Sequence, residues 1–481
     1  MLATTSPFSF VLFGASGNLA KLKIYPALYV LALKKRLPPN YAVVGYARTD
    51  MTQDAFRDLV SQSIHDQMPE VTKPALEEFL THLHYVSGQY DSAEDFGRLA
   101  TELQTLEKGW GEGVVRLAYL SVPPAVIPAV LDNLCSAQVH RKGRAFRCIV
   151  EKPIGHDSAS FEKIRMQLME CFSEEEIFLL DHYLGKEAVR NVYYLRYANP
   201  IVERLFTKAM VRHVEVTASE SLGIEERAGY FEHTGTFRDM VQSHLLMMVS
   251  LLTMHVKTKE EEIRESRLAA LRQLVLPKTK HMDDIVIQGQ YAAGTVEKKP
   301  VIPYLEEQGV AKDSRTNTYV ALKLHSKEER WDGVPFYLRS GKRLSKKETR
   351  IGVLFQEPHA VGAGSTPNRL DIILQGEAGM KLYLQTKLGG TEPAFRPLIM
   401  EDPLVCMGDC LPEHALLILE AIHGKQVWFL TFEEARTAWK LVDPLQEYLE
   451  KKDTPLYTYA AGTDGPEEAE RWIERDGVYW F

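Results

Sequence analysis

Residues 8–20 read Phe-Ser-Phe-Val-Leu-Phe-Gly-Ala-Ser-Gly-Asn-Leu-Ala, and a stretch rich in Lys and Leu follows them. An apolar run, a glycine turn and then a helix form the order that a dinucleotide-binding fold requires. The free N–H groups at the start of such a helix can seat a pyrophosphate. The spacing G-x-x-G-x-x-A departs from G-x-G-x-x-G, so the pattern alone also fits a simple tight turn. The candidate cofactor contacts in this turn are Gly14, Ala15, Ser16, Gly17, Asn18 and Leu19.

A second apolar run, residues 41–46, predicts the next strand, and Ala47-Arg48-Thr49 follows it. In this type of fold the end of the second strand faces the adenosine ribose, where an acid selects NAD and a cation accommodates the 2′-phosphate of NADP. Arg48 therefore favours NADP, although an exposed loop arginine is the alternative interpretation. The nearby Asp50 keeps NAD open as the cofactor.

Two later apolar runs, residues 117–122 and 146–150, are each followed closely by proline. Strands that alternate with helical patterns predict a doubly wound parallel sheet through about residue 180. Ligands bind such sheets beyond the carboxyl ends of the strands, and further candidate cofactor contacts in these segments are Tyr119, Pro123 and Lys152. Pro26 should kink the first helix after about two turns, unless that helix ends early.

The pattern changes after residue 180. Alternating segments at 211–219, 318–324, 350–355 and 370–374 predict half-buried strands of an antiparallel sheet with helices on one side. The fold class that follows is an α/β Rossmann-like dinucleotide-binding domain, residues 1–180, and then an α+β domain with a large, mainly antiparallel sheet, residues 181–481. The charge-rich residues 257–272 predict a solvated helix, and residues 362–365 predict a flexible loop.

Composition limits the class of protein. The chain has 481 residues, 57 Lys and Arg against 65 Asp and Glu, and a net charge of −8, which argues against nucleic acid or an anionic membrane as its partner. Its five cysteines, Cys135, Cys148, Cys171, Cys406 and Cys410, lack CxxC spacing, so neither a disulfide framework nor a metal site is expected. The N-terminus lacks a signal-peptide pattern, and residues 244–256 are too few to span a bilayer. A cytoplasmic protein is therefore expected.

Residues 181–191 read Asp-His-Tyr-Leu-Gly-Lys-Glu-Ala-Val-Arg-Asn and concentrate chemistry that suits a phosphorylated polyol. A carboxylate, an imidazole, a phenol and an ammonium group lie within a span of six positions, residues 181–186. If the stretch is one helix, His182 and Lys186 stand at i and i+4, and both can donate to the same phosphate. The ordinary alternative is a charged, solvated helix start.

Six segments in order resemble the glucose-6-phosphate dehydrogenase family. They are GASGNLAKLKIYPALY from Gly14, EKPIG from Glu151, DHYLGKE from Asp181, RAGYFEHTGTFRDMVQSHLL from Arg227, WDGVPFYLRSGKRLSKK from Trp331 and the C-terminal AAGTDGP. The resemblance extends over nearly the whole chain. It implies oxidation of C1 of β-D-glucose 6-phosphate to the δ-lactone with hydride transfer to NADP, the first step of the oxidative pentose phosphate pathway, with NAD as the open alternative.

The resemblance also implies residue roles. His244 would be the base that removes the C1 hydroxyl proton, and Asp181 would orient it and stabilise the imidazolium. Asp239 lies five positions before His244, about 140° round an ideal α-helix, so it is expected on another face as a ligand of a substrate hydroxyl. The resemblance also implies four residues at the phosphate, His182, Tyr183, Lys186 and Lys347. It implies four more in contact with the sugar or the phosphate, Lys152, Glu220, Lys342 and Gln375.

Some segments depart from the family pattern. Asn18 replaces the usual Asp of the turn, residues 412–416 lack the typical Asp-Ala-Tyr-Glu-Arg, and residues 388–413 match poorly. The expected assembly is a homodimer or homotetramer. Two alternatives stay open, an oxidoreductase of the inositol and glucose–fructose type and a catalytically silent sugar-phosphate sensor. The lysine cluster argues against the first, because an unphosphorylated sugar needs no ammonium groups. The presence of Asp181 and His244 argues against the second.

Overall fold

The computed structural model describes residues 6–68, 70–141, 143–357, 366–392, 394–404, 406 and 408–481. The chain forms two compact units. The first comprises residues 1–186 and 408–432, and the second comprises residues 187–407 and 433–481. Residues 362–365, predicted as a flexible loop, lie outside the described residues.

The strands of the first unit are β1 (Phe8–Phe13), β2 (Tyr41–Ala47), β3 (Leu83–Ser87), β4 (Val115–Leu120), β5 (Phe146–Glu151) and β6 (Ile177–Leu180). Those of the second unit are β7 (Val211–Ser219), β8 (Leu274–Val275), β9 (Val286–Ala292), β10 (Gly294–Val296), β11 (Lys299–Val301), β12 (Tyr319–Ser326), β13 (Phe336–Gly341), β14 (Glu348–Phe355), β15 (Arg369–Gln375), β16 (Gly379–Lys387), β17 (Phe395–Pro403) and β18 (Tyr457–Ala460).

The α-helices are α1 (Tyr25–Leu33), α2 (Gln53–Gln67), α3 (Lys73–Thr81), α4 (Ala93–Leu106), α5 (Ile127–Ser136), α6 (Ser158–Cys171), α7 (His182–Gly185), α8 (Glu187–Ala198), α9 (Pro200–Leu205), α10 (Ala228–Thr236), α11 (Leu246–Thr253), α12 (Ile263–Gln273), α13 (Glu413–His423), α14 (Phe432–Leu449) and α15 (Glu467–Glu474). Two π-helices cover Ala20–Ile24 and Phe237–Leu245. Short 3₁₀ turns cover Pro124–Val126, Glu174–Glu176, Glu225–Arg227, Glu260–Glu262, Met282–Asp284, Tyr304–Glu306 and Glu329–Trp331.

The first unit is built on a six-stranded sheet with the order β3-β2-β1-β4-β5-β6. All of its strand pairs are parallel. Strands β1, β2 and β4 are buried along their whole length, as expected for a parallel sheet covered by helices on both faces. This is the strand order of a dinucleotide-binding fold, so the predicted fold class of the first domain is confirmed.

Pro26 lies at a junction between two helix types. The π-helix Ala20–Ile24 leads into α1, in which Pro26 occupies one of the first two positions. The missing N–H of proline does no harm at the start of a helix, where this group has no intrahelical partner. The helix therefore changes its type at Pro26.

The second unit is built on a ten-stranded sheet with the order β17-β16-β15-β14-β7-β13-β12-β9-β18, and β8 pairs with β12. The pairs β7–β13 and β9–β18 are parallel. The remaining pairs in this sheet are antiparallel. A large and mainly antiparallel sheet is confirmed. The strand predicted at 211–219 has the same bounds as β7, but β7 is buried along nearly its whole length and is not half-buried as predicted.

Residues 408–432 return to the first unit, which differs from the predicted division at residue 180. The backbone N–H of Leu430 donates to the carbonyl of Leu179 at 2.9 Å, and Leu179 lies in β6, the last strand of the parallel sheet. The Gln426 side chain donates to the carbonyl of Ile177 at 2.9 Å. These contacts join positions about 250 residues apart, a pairing that a sequence pattern does not show.

The charge-rich segment predicted at 257–272 is a helix only from Ile263, and it is not fully solvated. The side chains of Arg267 and Glu434 are both 0% exposed. The guanidinium forms two contacts with the carboxylate, Nε to Oε1 at 2.5 Å and Nη2 to Oε2 at 3.1 Å. Helix α12 is thus fixed in the second unit by a buried ion pair with α14.

Removing one member of this pair should destabilise the protein. We expect Arg267→Ala to lower the free energy of unfolding by about 3–5 kcal/mol, because it leaves the buried Glu434 carboxylate without its guanidinium. The double variant Arg267→Met with Glu434→Leu should recover most of the loss, because both charges are then absent. Urea denaturation measures both values. Equal losses in the single and double variants would contradict this account.

The cysteines correct the sequence expectation. Cys135 and Cys171, 36 positions apart, form a disulfide between the ends of α5 and α6. Cys406 and Cys410 are also disulfide-bonded, and Cys148 is a buried thiol. The expectation of no disulfides was wrong, because helix packing brings together residues whose spacing resembles no motif. Among the described residues, none of the helices has the length and apolar character needed to cross a bilayer.

Candidate functional site

The glycine turn after β1 has the geometry of a ligand cradle. Gly14 has φ +85°, and a Cβ there would collide with the carbonyl oxygen of Ser121, so glycine is required by both conformation and space. The N–H of Gly17 donates to the carbonyl of Gly14 at 2.9 Å, which closes the turn. The hydroxyls of Ser16 and Thr49 lie 3.0 Å apart. The residues present therefore fit a pyrophosphate held by backbone at a helix start.

Arg48 lies at the end of β2, as the sequence predicts. Its guanidinium carbon is 5.7 Å from the centre of the Tyr90 ring, and Arg48 itself is exposed. Asp50 is exposed two positions later. An exposed guanidinium resting on an aromatic face is free to pair with an anion.

The ends of β4 and β5 carry the other candidate cofactor contacts. Tyr119 is 0% exposed, and its hydroxyl donates to Glu151, the residue before Lys152. Burial, followed by the negative charge of Glu151, raises the pKa of Tyr119 well above its usual value. Tyr119 thus fixes the side chain of Glu151, the residue before Lys152, by a hydrogen bond from the sheet interior. Pro123 is exposed. The peptide bond between Lys152 and Pro153 is cis.

The DHYLGK segment is not one helix, which corrects the sequence prediction. Helix α7 lasts a single turn, and Lys186 is extended with φ −74° and ψ 125°. His182 and Lys186 are therefore not related as i and i+4 of a helix. Asp181 caps the turn, since its carboxylate accepts from the N–H of Tyr183 at 2.9 Å. The Lys186 ammonium instead lies 3.7 Å from the centre of the Tyr183 ring.

The turn is held in place by α13. A Cβ on Gly185 would lie 2.7 Å from Leu417 Cδ1 and 2.8 Å from the carbonyl oxygen of Glu413, so the close approach of α13 requires glycine there. Asp181 follows β6 at the same edge where β1, β2 and β5 end. Within the first unit, the structure thus brings the glycine turn, Arg48, Lys152 and the DHYLGK turn to the carboxyl edge of one sheet.

A buried histidine lies beside this turn, in the segment that departs from the family pattern. His414 is 4% exposed, with Nε2 3.7 Å from Glu151 Oε1 and Nδ1 3.7 Å from Glu413 Oε1. Its ring centre is 6.2 Å from that of His182. Burial lowers the pKa of His414, but the carboxylates of Glu151 and Glu413 outweigh burial and raise it to about 9. The pKa of Glu413 is lowered in turn, chiefly by His414.

The raised pKa of His414 makes stability depend on pH. A shift from 6.5 to about 9 corresponds to about 3 kcal/mol. Because the folded pKa lies above the unfolded one, the stabilisation is complete below pH 6.5 and is lost as the pH rises through about 9. We expect His414→Gln to be less stable than the wild type at neutral pH and to approach it in alkali. Urea denaturation over this range tests the prediction, and parallel curves for the two proteins would contradict it.

In the second unit, His244 and Asp239 lie on the π-helix Phe237–Leu245. Hydrogen bonds in a π-helix run from residue i to i+5, so positions five apart stand about one turn apart. The sequence prediction assumed an ideal α-helix and placed the two residues on different faces, which the π-helix corrects. His244 is 1% exposed and Asp239 is half-buried. The hydroxyl of Tyr230 donates to Asp239 Oδ1 at 3.3 Å.

The other candidate substrate residues of this unit share one edge of the large sheet. Glu220 and Lys342 follow the parallel strands β7 and β13, and they form an ion pair. The Lys342 ammonium is 5.1 Å from the centre of the Phe231 ring. Lys347 is exposed just before β14, and Gln375 ends β15, where its Oε1 accepts from Thr349 at 3.4 Å. Strand pairing thus brings four residues that were predicted to contact the substrate to the same edge of the sheet.

The supporting residues Tyr230 and His414 were missed in the sequence. Tyr230 belongs to the RAGYF motif, so its position was visible but its bond to Asp239 was not. His414 lies in the divergent segment 412–416, and that divergence is the one sequence signal that could have drawn attention to it.

Two family models match the chain. The one described as "Glucose-6-phosphate dehydrogenase, NAD binding domain" matches residues 11–191. The one described as "Glucose-6-phosphate dehydrogenase, C-terminal domain" matches residues 193–481. The chain belongs to the glucose-6-phosphate dehydrogenase family. The resemblance drawn from the six sequence segments is therefore confirmed.

Relatives match over nearly their whole length. A glucose-6-phosphate 1-dehydrogenase of Chlamydia pneumoniae is 35% identical, over 99% of this chain and 96% of the relative. One from Bacillus subtilis (strain 168) is also 35% identical, over 98% and 97%. A solved structure of a glucose-6-phosphate dehydrogenase in complex with glucose-6-phosphate has a TM-score of 0.89 and 29% identity, with 100% of both chains covered.

Proposed function

We propose that this protein oxidises β-D-glucose 6-phosphate at C1 to 6-phospho-D-glucono-1,5-lactone, with hydride transfer to a nicotinamide dinucleotide. The observation that carries the proposal is the match along the whole chain to enzymes of this activity. The geometry of each unit fits it. One unit offers a dinucleotide cradle and a turn whose side chains can donate hydrogen bonds to a phosphate. The other offers a buried base and a sheet edge with polar side chains that can bind the sugar.

We propose His244 as the base that removes the C1 hydroxyl proton. The carboxylate of Asp181 would orient the imidazole and stabilise the imidazolium that forms. Asp239 would accept a hydrogen bond from a sugar hydroxyl, and Tyr230 holds its carboxylate for that task. The bound cofactor supplies the hydride acceptor. Because His244 is buried, water has little access to its imidazole. Proton transfer from the substrate hydroxyl is then favoured over proton exchange with solvent.

The phosphate of the substrate would be bound by His182, Tyr183, Lys186 and Lys347. Tyr183 holds the Lys186 ammonium over its ring, so the cation is placed before the substrate arrives. We assign the remaining sugar or phosphate contacts to Lys152, Glu220, Lys342 and Gln375. The ion pair of Glu220 and Lys342 leaves one carboxylate oxygen available to accept from a hydroxyl.

We propose NADP rather than NAD as the preferred cofactor. The support is the exposed guanidinium of Arg48 at the end of β2, which can pair with a 2′-phosphate. The turn residues 14–19 and the edge residues Tyr119, Pro123 and Lys152 would complete the cofactor site.

The cofactor preference can be tested at Arg48. We expect Arg48→Ala to raise the KM for NADP at least tenfold more than the KM for NAD, because a charge-assisted contact is lost only with NADP. The matched variant Asp50→Asn should leave the NADP value nearly unchanged. Initial rates with both cofactors decide the matter. Equal effects of Arg48→Ala on the two cofactors would remove Arg48 from the 2′ position.

We also propose a homodimer or homotetramer in the cytoplasm. The outer strand β17 exposes three consecutive apolar side chains, Leu398, Ile399 and Met400. An exposed apolar edge strand is a surface that an oligomer covers. Sedimentation of the purified protein measures its mass.

The experiment that tests the activity is an assay of absorbance gain with the purified protein, glucose 6-phosphate and either cofactor. Reduction of cofactor with glucose 6-phosphate but not with inositol or free glucose is expected. Turnover of the unphosphorylated sugars at similar kcat/KM would favour an oxidoreductase of the inositol and glucose–fructose type. Absence of turnover with tight binding of glucose 6-phosphate would favour a silent sensor. The family relation favours neither alternative.

A further inference from the structure

The π-helix that carries Asp239 and His244 begins without a cap from its own sequence. Its N-cap residue, Thr236, makes no side-chain capping hydrogen bond. Helix starts leave N–H groups that need acceptors, and in a buried position an unsatisfied N–H is costly. Phe237, the first residue of the π-helix, is 2% exposed, so water does not supply the acceptor.

Asn317, 80 positions later, supplies both acceptors. Its side-chain Oδ1 accepts from the N–H of Phe237 at 3.0 Å. Its backbone carbonyl accepts from the N–H of Thr236 at 2.9 Å. One residue outside the helix therefore fixes two successive N–H groups at the start of the segment that carries the proposed base.

The Asn317 amide is itself held in one orientation. Its Nδ2 donates to Gln288 Oε1 at 3.2 Å. Gln288 is 2% exposed, and its own amide donates to the carbonyls of Leu449 and Pro455 at 3.1 and 3.3 Å. This chain of bonds ties Asn317 to β9 and to the end of α14, so the acceptor at the helix start is not free to turn.

Gly235 makes room for this cap. It has φ +60°, and a Cβ there would lie 2.9 Å from Asn317 Oδ1. Any other residue would be strained in that conformation and would press against the capping oxygen. Gly235 and Asn317 thus fit each other at the junction between α10 and the π-helix.

We propose that Asn317 is a positioning residue for catalysis, which fixes the hydrogen-bond register of the π-helix and thereby the relative placement of Asp239 and His244. In an α-helical register these positions would be about 140° apart, whereas in the π register they stand about one turn apart. Loss of the cap frees the first turn to change register. The inference rests on the proposed function, in which His244 is the base and Asp239 binds the substrate.

The test compares Asn317→Ala with Asn317→Asp. Aspartate keeps an oxygen acceptor for the Phe237 N–H but loses the Nδ2 donor to Gln288 Oε1, whereas alanine removes both. We expect alanine to lower kcat by about 10–100-fold, because small misplacement of reacting groups has effects of that size. KM for glucose 6-phosphate should rise less than kcat falls, and the apparent pKa in the kcat/KM profile should shift. Aspartate should recover most of the lost kcat, because the acceptor of the Phe237 N–H is kept although the bond to Gln288 is lost, and its pH profile should shift less than that of alanine.

A control variant separates positioning from stability. Ser92 caps α4, where its Oγ accepts from the N–H of Asp95 at 3.2 Å, and α4 carries none of the proposed site residues. Ser92→Ala should lower the melting temperature by an amount similar to Asn317→Ala but leave kcat unchanged. Gly235→Ala, which displaces the capping oxygen while keeping Asn317, should lower kcat as well and serves as the second variant if Asn317→Ala fails to fold.

The outcomes distinguish this inference from the proposed function. If the wild type does not oxidise glucose 6-phosphate, the proposed function is wrong. If the wild type is active and folded Asn317→Ala keeps kcat within threefold, with an unchanged pH profile, Asn317 is a structural cap only and the inference is overturned. If Asn317→Ala does not fold, an unchanged kcat in Gly235→Ala overturns it.

Discussion

His244→Asn should lower kcat by ~10²–10⁴ and leave substrate binding within a few-fold, because the base acts chiefly in the transition state. The imidazole is 1% exposed, so buffer bases should restore little of the lost activity. Initial rates against glucose 6-phosphate concentration give kcat and KM separately. His233→Ala is the matched control, since His233 is exposed on the preceding helix and has no proposed role.

The same experiment tests Asp181. If Asp181 acts through His244, Asp181→Asn should also lower kcat, and the double variant should be little worse than His244→Asn alone, because residues that act as a unit are not additive. Fully additive losses would assign Asp181 a separate role. A His244→Asn variant within threefold of the wild-type kcat would remove His244 from the mechanism.

Several strands, among them β1 and β7, could be predicted because their signals are local. The run at 8–13 is apolar and ends in a glycine turn, and β1 has those bounds. Residues 211–219 alternate in type, and β7 covers the same positions. Each predicted strand also places the residue that follows it, so Glu220 could be expected at a strand end, whereas no strand was predicted before Lys342. Their ion pair required the parallel pairing of β7 with β13, which no local pattern indicates.

The errors have a common physical cause, since each depends on a distant partner. The DHYLGK helix stops after one turn, and α13, more than 220 positions later, packs directly on Gly185. The helix of His244 is a π-helix that starts against Asn317, which lies 80 positions beyond Phe237. The expectation of a uniform α-helix was wrong at both places because long-range contacts outweigh local preference.

These corrections change how the phosphate turn is understood. An i, i+4 pair would let His182 and Lys186 share one helix face, whereas the observed turn sends Lys186 onto the Tyr183 ring. The ammonium is therefore oriented by Tyr183 and not by helix geometry. The variants Tyr183→Phe and Tyr183→Leu test whether the ring face of Tyr183 orients the Lys186 ammonium. Phenylalanine keeps the ring face for the cation and loses only the phenol contact with the phosphate, so it should keep more of the discrimination for the phosphate than leucine, which loses both.

Lys186→Ala should lose about 2–4 kcal/mol in transition-state binding of glucose 6-phosphate, because the phosphate then lacks a charged donor. Binding energy from this remote phosphate also helps to align C1 with the nicotinamide, so kcat should fall as well as KM rise. The low activity on free glucose should hardly change.

The measurement for Lys186 is kcat/KM for glucose 6-phosphate and for glucose in the wild type and in the variant. Lys163→Ala, at an exposed position on α6, is the matched control and should behave as the wild type with both sugars. Lys186→Arg should recover part of the loss, because the charge is kept while the compact ammonium is replaced. Equal losses on both sugars would mean that the DHYLGK turn does not bind the phosphate. In that case the discrimination would rest with Lys342 and Lys347 at the edge of the large sheet.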